Sequence, residues 1–183
     1  MLVYGSVEPP KSMPATIVTD CPPSRIELRP ERAEDAEFRF LLFCGSRPPE
    51  WAFLPLQGEA RTALLRQQFA AQAAAYRAQF PDARFDIIEL DGRPVGRLVV
   101  ARAAKRLHVV DVALLPCCRG RGIGTALLRS VIEEARAAGL TVELYVDAAN
   151  DKALRLYRRL GFVPVATLPP RLRLEWQAMD RGR

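Results

Sequence analysis

Arg119-Gly120-Arg121-Gly122-Ile123-Gly124 puts two arginines and three glycines between an apolar run, Leu107 to Leu115, and a run with helical patterning, Thr125 to Ile132. A strand, a basic glycine-rich turn and a helix start together make an anion site. The first N–H groups of a helix have no internal partner, and the helix dipole adds partial positive charge there. Glycines let a diphosphate approach the backbone closely, and the arginines add full charge. The spacing narrows the ligand. A nucleotide P-loop needs a lysine that is absent here, and a dinucleotide turn needs a third glycine where Leu127 stands. What fits is Arg-x-x-Gly-x-Gly, formed by Arg119, Gly122 and Gly124.

A second constellation follows the strand-like run Thr141–Val146: Asn150-x-x-Ala153-x-x-x-Tyr157-x-x-x-Gly161-Phe162. Asn150 is a good helix N-cap, because its side chain can accept from an orphan N–H. Ala153 and Tyr157 are four apart and share a helix face. Gly161 stands where a helix needs a left-handed exit.

These two blocks resemble the GCN5-related N-acetyltransferase (GNAT) superfamily, the first its acetyl-CoA diphosphate loop and the second its next conserved block. The resemblance covers roughly residues 25 to 177 and is most specific from 107 to 162. It implies an acetyl-CoA N-acetyltransferase of α/β (α+β) fold, with a central, mostly antiparallel mixed sheet whose fourth and fifth strands splay apart. The diphosphate is then expected over Arg119, Gly120, Arg121, Gly122, Ile123, Gly124 and Thr125. The pantetheine arm is expected beside the backbone of Val112, Ala113 and Leu114, with Asn150, Ala153 and Tyr157 completing the cofactor set. Tyr157 is the implied general acid for the departing thiolate. In some relatives a fifth-strand glutamate is the base, but that position is Tyr145 here. Asp111 is preferred as base, with Glu143, Glu89 or a water as alternatives. The implied acceptor is a small-molecule or peptide amine, with Trp51, Phe53, Tyr76 and Trp176 as aromatic residues that could line its pocket. A non-catalytic acyl-CoA-binding module of the same fold is the alternative. The protein is expected to be a monomer or homodimer.

The elements that must position these residues are legible in outline. Residues 1–23, broken by Pro9-Pro10, Pro14 and Pro22-Pro23, predict a disordered or extended leader, with a single domain over 24–183. Strand 25–29 precedes a helix from near Glu31, with Ala36, Phe38, Leu41 and Leu42 available for burial. A loop over 45–55 leads to a long helix, 57–80, with an apolar face of Leu64, Leu65, Phe69, Ala73, Tyr76 and Phe80. Asp91-Gly92 between two apolar runs signals a hairpin. Strand 107–115, helix 122–138, strand 141–146, helix 150–160 and strands 162–166 and 171–176 complete the order β-α-α-β-β-β-α-β-α-β-β.

At 183 residues, 49% hydrophobic and 26% charged, the chain has the composition of one globular domain. No apolar run approaches a membrane span of about twenty residues, and no signal-peptide core follows Met1, so a cytoplasmic location is expected. The net charge of +6 does not point to specific nucleic-acid binding: lysine occurs only at 11, 105 and 152, and the arginines are dispersed. Cys21, Cys44, Cys117 and Cys118, with His108 the single histidine, lack the spacing of a zinc site or a disulfide framework, so free thiols and no metal are expected. Cations beside Cys117 and Cys118 could lower a thiol pKa and make it reactive.

Overall fold

At the Asp91-Gly92 turn both residues take positive φ, 52° and 74°, as a two-residue type I′ turn requires. The turn joins β2 (Arg84–Leu90) to β3 (Arg93–Ala103), and the same logic extends the sheet on both sides. The structure is a computed structural model describing residues 25–46 and 58–177. The expected leader, Trp51 and Phe53 lie outside those residues. β1 (Ile26–Pro30) precedes α1 (Ala36–Gly45) and α2 (Gly58–Gln79); β4 (Arg106–Leu114), α3 (Ile123–Ala138), β5 (Thr141–Asp147), α4 (Asp151–Arg159), β6 (Val163–Leu168) and β7 (Arg171–Trp176) follow the hairpin. Among the described residues seven strands form one sheet in the order β1-β2-β3-β4-β5-β7-β6. Among these described strands only the β4–β5 pair is parallel. The expected mixed, mostly antiparallel sheet and the element order both hold.

The core lies between one face of the sheet and α3 and α4. Ile123, Leu127, Leu128, Val131, Ile132 and Ala135 recur along α3 at helical spacing and bury against Leu107, Val109, Val142, Leu144 and Val146. Full burial of each large aliphatic side chain contributes about 1.5–3 kcal/mol. The other face carries α1, which packs on β3 and β4.

On that second face the expectation for the first helix needs correction. Leu41 is 60% exposed, while Phe40, Leu42 and Phe43 are buried. The helix starts at Ala36 after a 3-10 turn over Ala33–Asp35, so its phase differs from that of a helix begun at Glu31. The expected apolar face of α2 is half-buried at every position and fully buried at none. Phe69 anchors it, with ring centroids 5.7 Å from Phe40 and 5.6 Å from Phe43.

Candidate active site

One residue of β4 decides how the sheet opens. Val100 pairs with Val109 and Val99 with Asp111, leaving Val110 as an extra residue on β4. A bulge bends its strand and increases local twist. Pairing of β4 with β5 runs from Arg106↔Thr141 to Val109↔Leu144 and stops there. Beyond it β4 stays with β3 as far as Leu114, and β5 stays with β7 as far as Asp147. The two strands part into a slot with half-buried walls from Val110 to Leu114. The β4 edge facing that slot offers backbone donors and acceptors to an extended ligand.

The bulge also sets which way side chains point. His108 is paired with Glu143, and Val109 belongs to the core with Leu144. Strict alternation from Val109 would send Asp111 to the α3 side. Past the extra residue Asp111 lies opposite Val99 and Ala113 opposite Arg97, on the α1 side, while Val112 and Leu114 pack against the core.

The basic loop ends at the head of the slot. Gly122, with φ of 83°, is the N-cap of α3 and has no side chain to cap it. The first helical bond is Ala126 N–H to the Gly122 carbonyl at 3.0 Å. The N–H groups of Ile123, Gly124 and Thr125 therefore have no acceptor within the helix. A Cβ on Gly120 or Gly122 would meet nothing within 4 Å, so the space over these amides is open and the positive φ values are what demand glycine. Arg121 is exposed. Arg119, also exposed, folds back along the surface: its Nε donates to the Leu114 carbonyl and its Nη2 to the Gly45 carbonyl, each at 2.9 Å. It ties the loop to the end of β4 and to α1.

On the α4 side, Asn150 Oδ1 accepts from Ala153 N–H at 3.1 Å, the expected N-cap, and its NH2 group is not used by that cap. The helix closes with Phe162 N–H on the Tyr157 carbonyl and Gly161 N–H on the Arg158 carbonyl, both at 3.0 Å. This is a Schellman ending, with Gly161 at φ of 89°. It fixes the turn that carries Tyr157, which is buried and stacked edge-on against Phe162 at 5.7 Å. Burial, then the negative charge of Asp111, pushes the Tyr157 phenol up to about 12. Asp111 is itself held above the usual carboxylate range by burial, opposed by Arg97 and by the Val112 N–H. Its carboxylate meets Arg97 Nη1 at 3.5 Å.

The other expected residues fall as follows. Glu143 is buried between two cations, Arg106 at 3.4 Å and Arg173 at 3.5 Å, with His108 at 3.9 Å. Burial holds His108 below the usual imidazole range, partly offset by Glu143. Glu89 lies on β2, away from the slot, and pairs with Arg29 at 2.6 Å. Tyr145 is the first β5 residue past the pairing with β4, with its ring 5.5 Å from His108. Trp176 is core and not pocket: it pairs with Val142 at the closed end of β5 and is covered by Arg136 at 5.3 Å. Tyr76 is half-buried on α2, where its hydroxyl accepts from Gln72 at 3.4 Å. The expected cation effect on the cysteines is outweighed at Cys118: burial and the neighbouring Cys117 raise its pKa, and Arg121 lowers it less. Cys117 is exposed, 3.7 Å from Cys118 between sulfurs. Among the described residues no helix is long and apolar enough to cross a membrane.

Sequence reasoning missed Glu31, Arg39 and Arg97 on the α1 side of the slot. Arg97 had a signal, since it is the lone charge in the apolar run Val95–Val100. A buried arginine needs carboxylates, and Glu31 supplies one at 3.1 Å.

Comparison with known proteins agrees with this architecture. An uncharacterized N-acetyltransferase of Methanocaldococcus jannaschii is 38% identical over 86 residues, covering 43% of this chain and 38% of that protein. The mycothiol acetyltransferase of Acidimicrobium ferrooxidans is 34% identical over 152 residues, covering 79% of this chain and 44% of that protein. The chain thus spans less than half the length of these two relatives. The crystal structure of PaiA N-acetyltransferase from Thermoplasma acidophilum, in complex with coenzyme A, has the same fold, with a TM-score of 0.63 and 19% identity over 84% of this chain and 99% of that one. Residues 50–162, which include the slot, the basic loop and α4, match the pattern of the Acetyltransferase (GNAT) family, and the chain belongs to that family.

Proposed function

We propose that the chain is an N-acetyltransferase that moves an acetyl group from acetyl-CoA to a primary amine by direct attack in a ternary complex, acting in the cytoplasm. The observation that carries this is the slot where β4 and β5 part, with Asp111 on its α1 side and the open amides of the α3 N-terminus at its head; Tyr157 is buried on α4, and the charge of Asp111 acts on it. The open amides of Ile123, Gly124 and Thr125, with exposed Arg121, suit a diphosphate. The free edge of β4 at Val112–Leu114 suits the two amides of a pantetheine arm, and the Asn150 NH2 group is available to it.

The chemistry forms one C–N bond and breaks one C–S bond. Asp111 takes a proton from the attacking amine, directly or through a water, helped by a pKa already above that of an ordinary carboxylate. A backbone N–H at Val112 or Ala113 steadies the oxyanion. Tyr157 donates to the leaving sulfur. The two groups are coupled: the Asp111 charge raises Tyr157, so protonating Asp111 removes that charge and makes the phenol a stronger acid as the thiolate forms.

Calorimetric titration with acetyl-CoA, with NADH and ATP as controls, tests the cofactor reading. Saturable binding of acetyl-CoA alone is expected, and no binding would remove the acetyltransferase claim. The second reading, a non-catalytic acyl-CoA-binding module, draws support only from Tyr145 at the position of some relatives' glutamate. Turnover with an amine acceptor excludes it.

A further inference from the structure

Cys117 and Cys118 are neighbours in sequence, and their sulfurs are in contact at 3.7 Å. They differ in access: Cys117 is exposed, while Cys118 is buried in the core on which α3 packs. Pro116–Cys118 form a tight 3-10 turn, in which Cys118 N–H donates to the Leu115 carbonyl at 2.9 Å. Acyl transfer as set out above uses neither thiol.

The pair stands at a joint between the slot and the basic loop. β4 ends at Leu114, and the loop begins at Arg119, whose side chain holds the Leu114 and Gly45 carbonyls. The Arg119 N–H donates to the Pro116 carbonyl at 3.3 Å, across the two cysteines. Pro116 lies against the end of α1, where a Cβ on Gly45 would meet it at 3.6 Å. A twist of the Cys117–Cys118 peptide therefore moves Arg119 and the loop it anchors.

We infer that Cys117 and Cys118 are a reversible dithiol–disulfide site, oxidised by a peroxide, and that closing the bond loosens the basic loop and weakens its hold on the acyl-CoA diphosphate. The effect on the cofactor rests on the proposed function; the formation of the bond does not. In the first step the exposed Cys117 sulfur, as thiolate, attacks the peroxide. An S–O bond forms, the O–O bond breaks, and the proton Cys117 gave up joins the departing hydroxide as water. In the second step the Cys118 sulfur displaces the hydroxyl from Cys117. The S–S bond forms, the S–O bond breaks, and the Cys118 proton leaves with the hydroxyl as a second water. The two thiols lose two electrons and the peroxide gains them.

Closure draws the sulfurs from 3.7 Å to about 2.05 Å. Adjacent Cα atoms are about 3.8 Å apart, whereas a disulfide prefers about 4.4–6.8 Å, so the ring is strained and easily reduced. The dithiol is then the resting form in a reducing compartment, and the bond reverses when the peroxide is gone. The strain falls on the peptide between the two cysteines, at the joint.

The test uses the full chain with Cys21→Ser and Cys44→Ser, so that this pair alone remains to oxidise. Hydrogen peroxide is added, and intact mass and peptide mapping after alkylation are read. The expected result is a monomer lighter by two hydrogens, with neither Cys117 nor Cys118 alkylated, and recovery of both thiols with dithiothreitol. Calorimetry should then show acetyl-CoA bound about tenfold or more weakly by the oxidised chain than by the reduced one. Cys117→Ser, at an exposed position, should keep the affinity of the reduced chain and lose its response to peroxide. Cys118→Ala should leave Cys117 as a sulfenic acid that dimedone traps. Linkage of two chains through Cys117, addition of oxygen without loss of both thiols, or no reaction overturns the dithiol site. A bond that forms with acetyl-CoA affinity unchanged overturns the coupling to the loop. If the reduced chain binds no acetyl-CoA, the proposed function fails and the coupling with it, while the mass still decides the dithiol site.

Discussion

Asp35 and Asp111 each face an arginine, and their surroundings drive them in opposite directions. Asp35, at the corner between β1 and α1, takes both oxygens to Arg29 at 2.8 and 2.7 Å and accepts the Arg32 N–H at 2.7 Å. Arg29 holds its carboxyl down to about 2 despite burial. Asp111, in the slot, has one long contact at 3.5 Å with an arginine already shared with Glu31. There burial wins, and the carboxyl is pushed up. The number and directness of hydrogen bonds decide the difference. A carboxylate whose lone pairs are filled fastens two elements together, and one left half-served keeps room for a proton or a ligand.

Removing the proton donor beside the half-served carboxylate has the largest expected effect. Tyr157→Phe should lower kcat by about a hundredfold or more, with acetyl-CoA affinity changed by less than about threefold, as steady-state CoA release and calorimetry would report. Unchanged turnover would leave Tyr157 a core residue only.

Asp111→Asn should cut kcat/KM by about a hundredfold and erase the acid limb of the pH–rate profile. Its stability effect has a definite sign. A folded pKa raised above the unfolded value contributes stability at low pH that is lost as pH rises through the folded pKa. The variant should therefore melt no lower than the parent at pH 7, and any advantage should vanish below about pH 4. A clear loss of melting temperature at pH 7 would make Asp111 another Asp35.

Asp35→Asn should do the reverse. The shift from 3.8 to about 2 corresponds to about 2 kcal/mol lost at neutral pH, or a fall in melting temperature of about 4–8 °C. A depressed pKa stabilises above the unfolded value, so the gap between variant and parent should close as pH falls from about 4 to about 2. Turnover should hold within about threefold. Loss of activity without loss of stability would erase the contrast between the two sites.

The smallest effect belongs to the basic loop. A Cβ on Gly124 meets Leu156 and Leu114 at 3.8 and 3.9 Å, ordinary contact, so Gly124→Ala should cost under about 0.5 kcal/mol and keep acetyl-CoA affinity. Gly122→Ala, at φ of 83°, should cost about 1 kcal/mol by chemical denaturation.

What the residues determined unaided was local. The basic loop, the Asn150 cap, the Gly161 exit, the Asp91-Gly92 hairpin and the apolar stripe of α3 each depend on groups within about four positions of one another, and all formed where the spacing placed them. Residues 107–115 put apolar side chains on both faces, and His108 and Asp111, three apart, do not say which residue between them is the extra one. Because side chains alternate with a period of two, that one residue turned Asp111 from the core toward the acceptor side, and it ended the pairing that would have closed the slot. The same holds for the cluster of Glu31, Arg39, Arg77, Arg97 and Asp111, and for Arg119 reaching back to Gly45. These residues come from separate elements, and each could have pointed to water. Only the packed sheet, by removing that water, decided which charges had to find one another and which N–H groups were left without a partner.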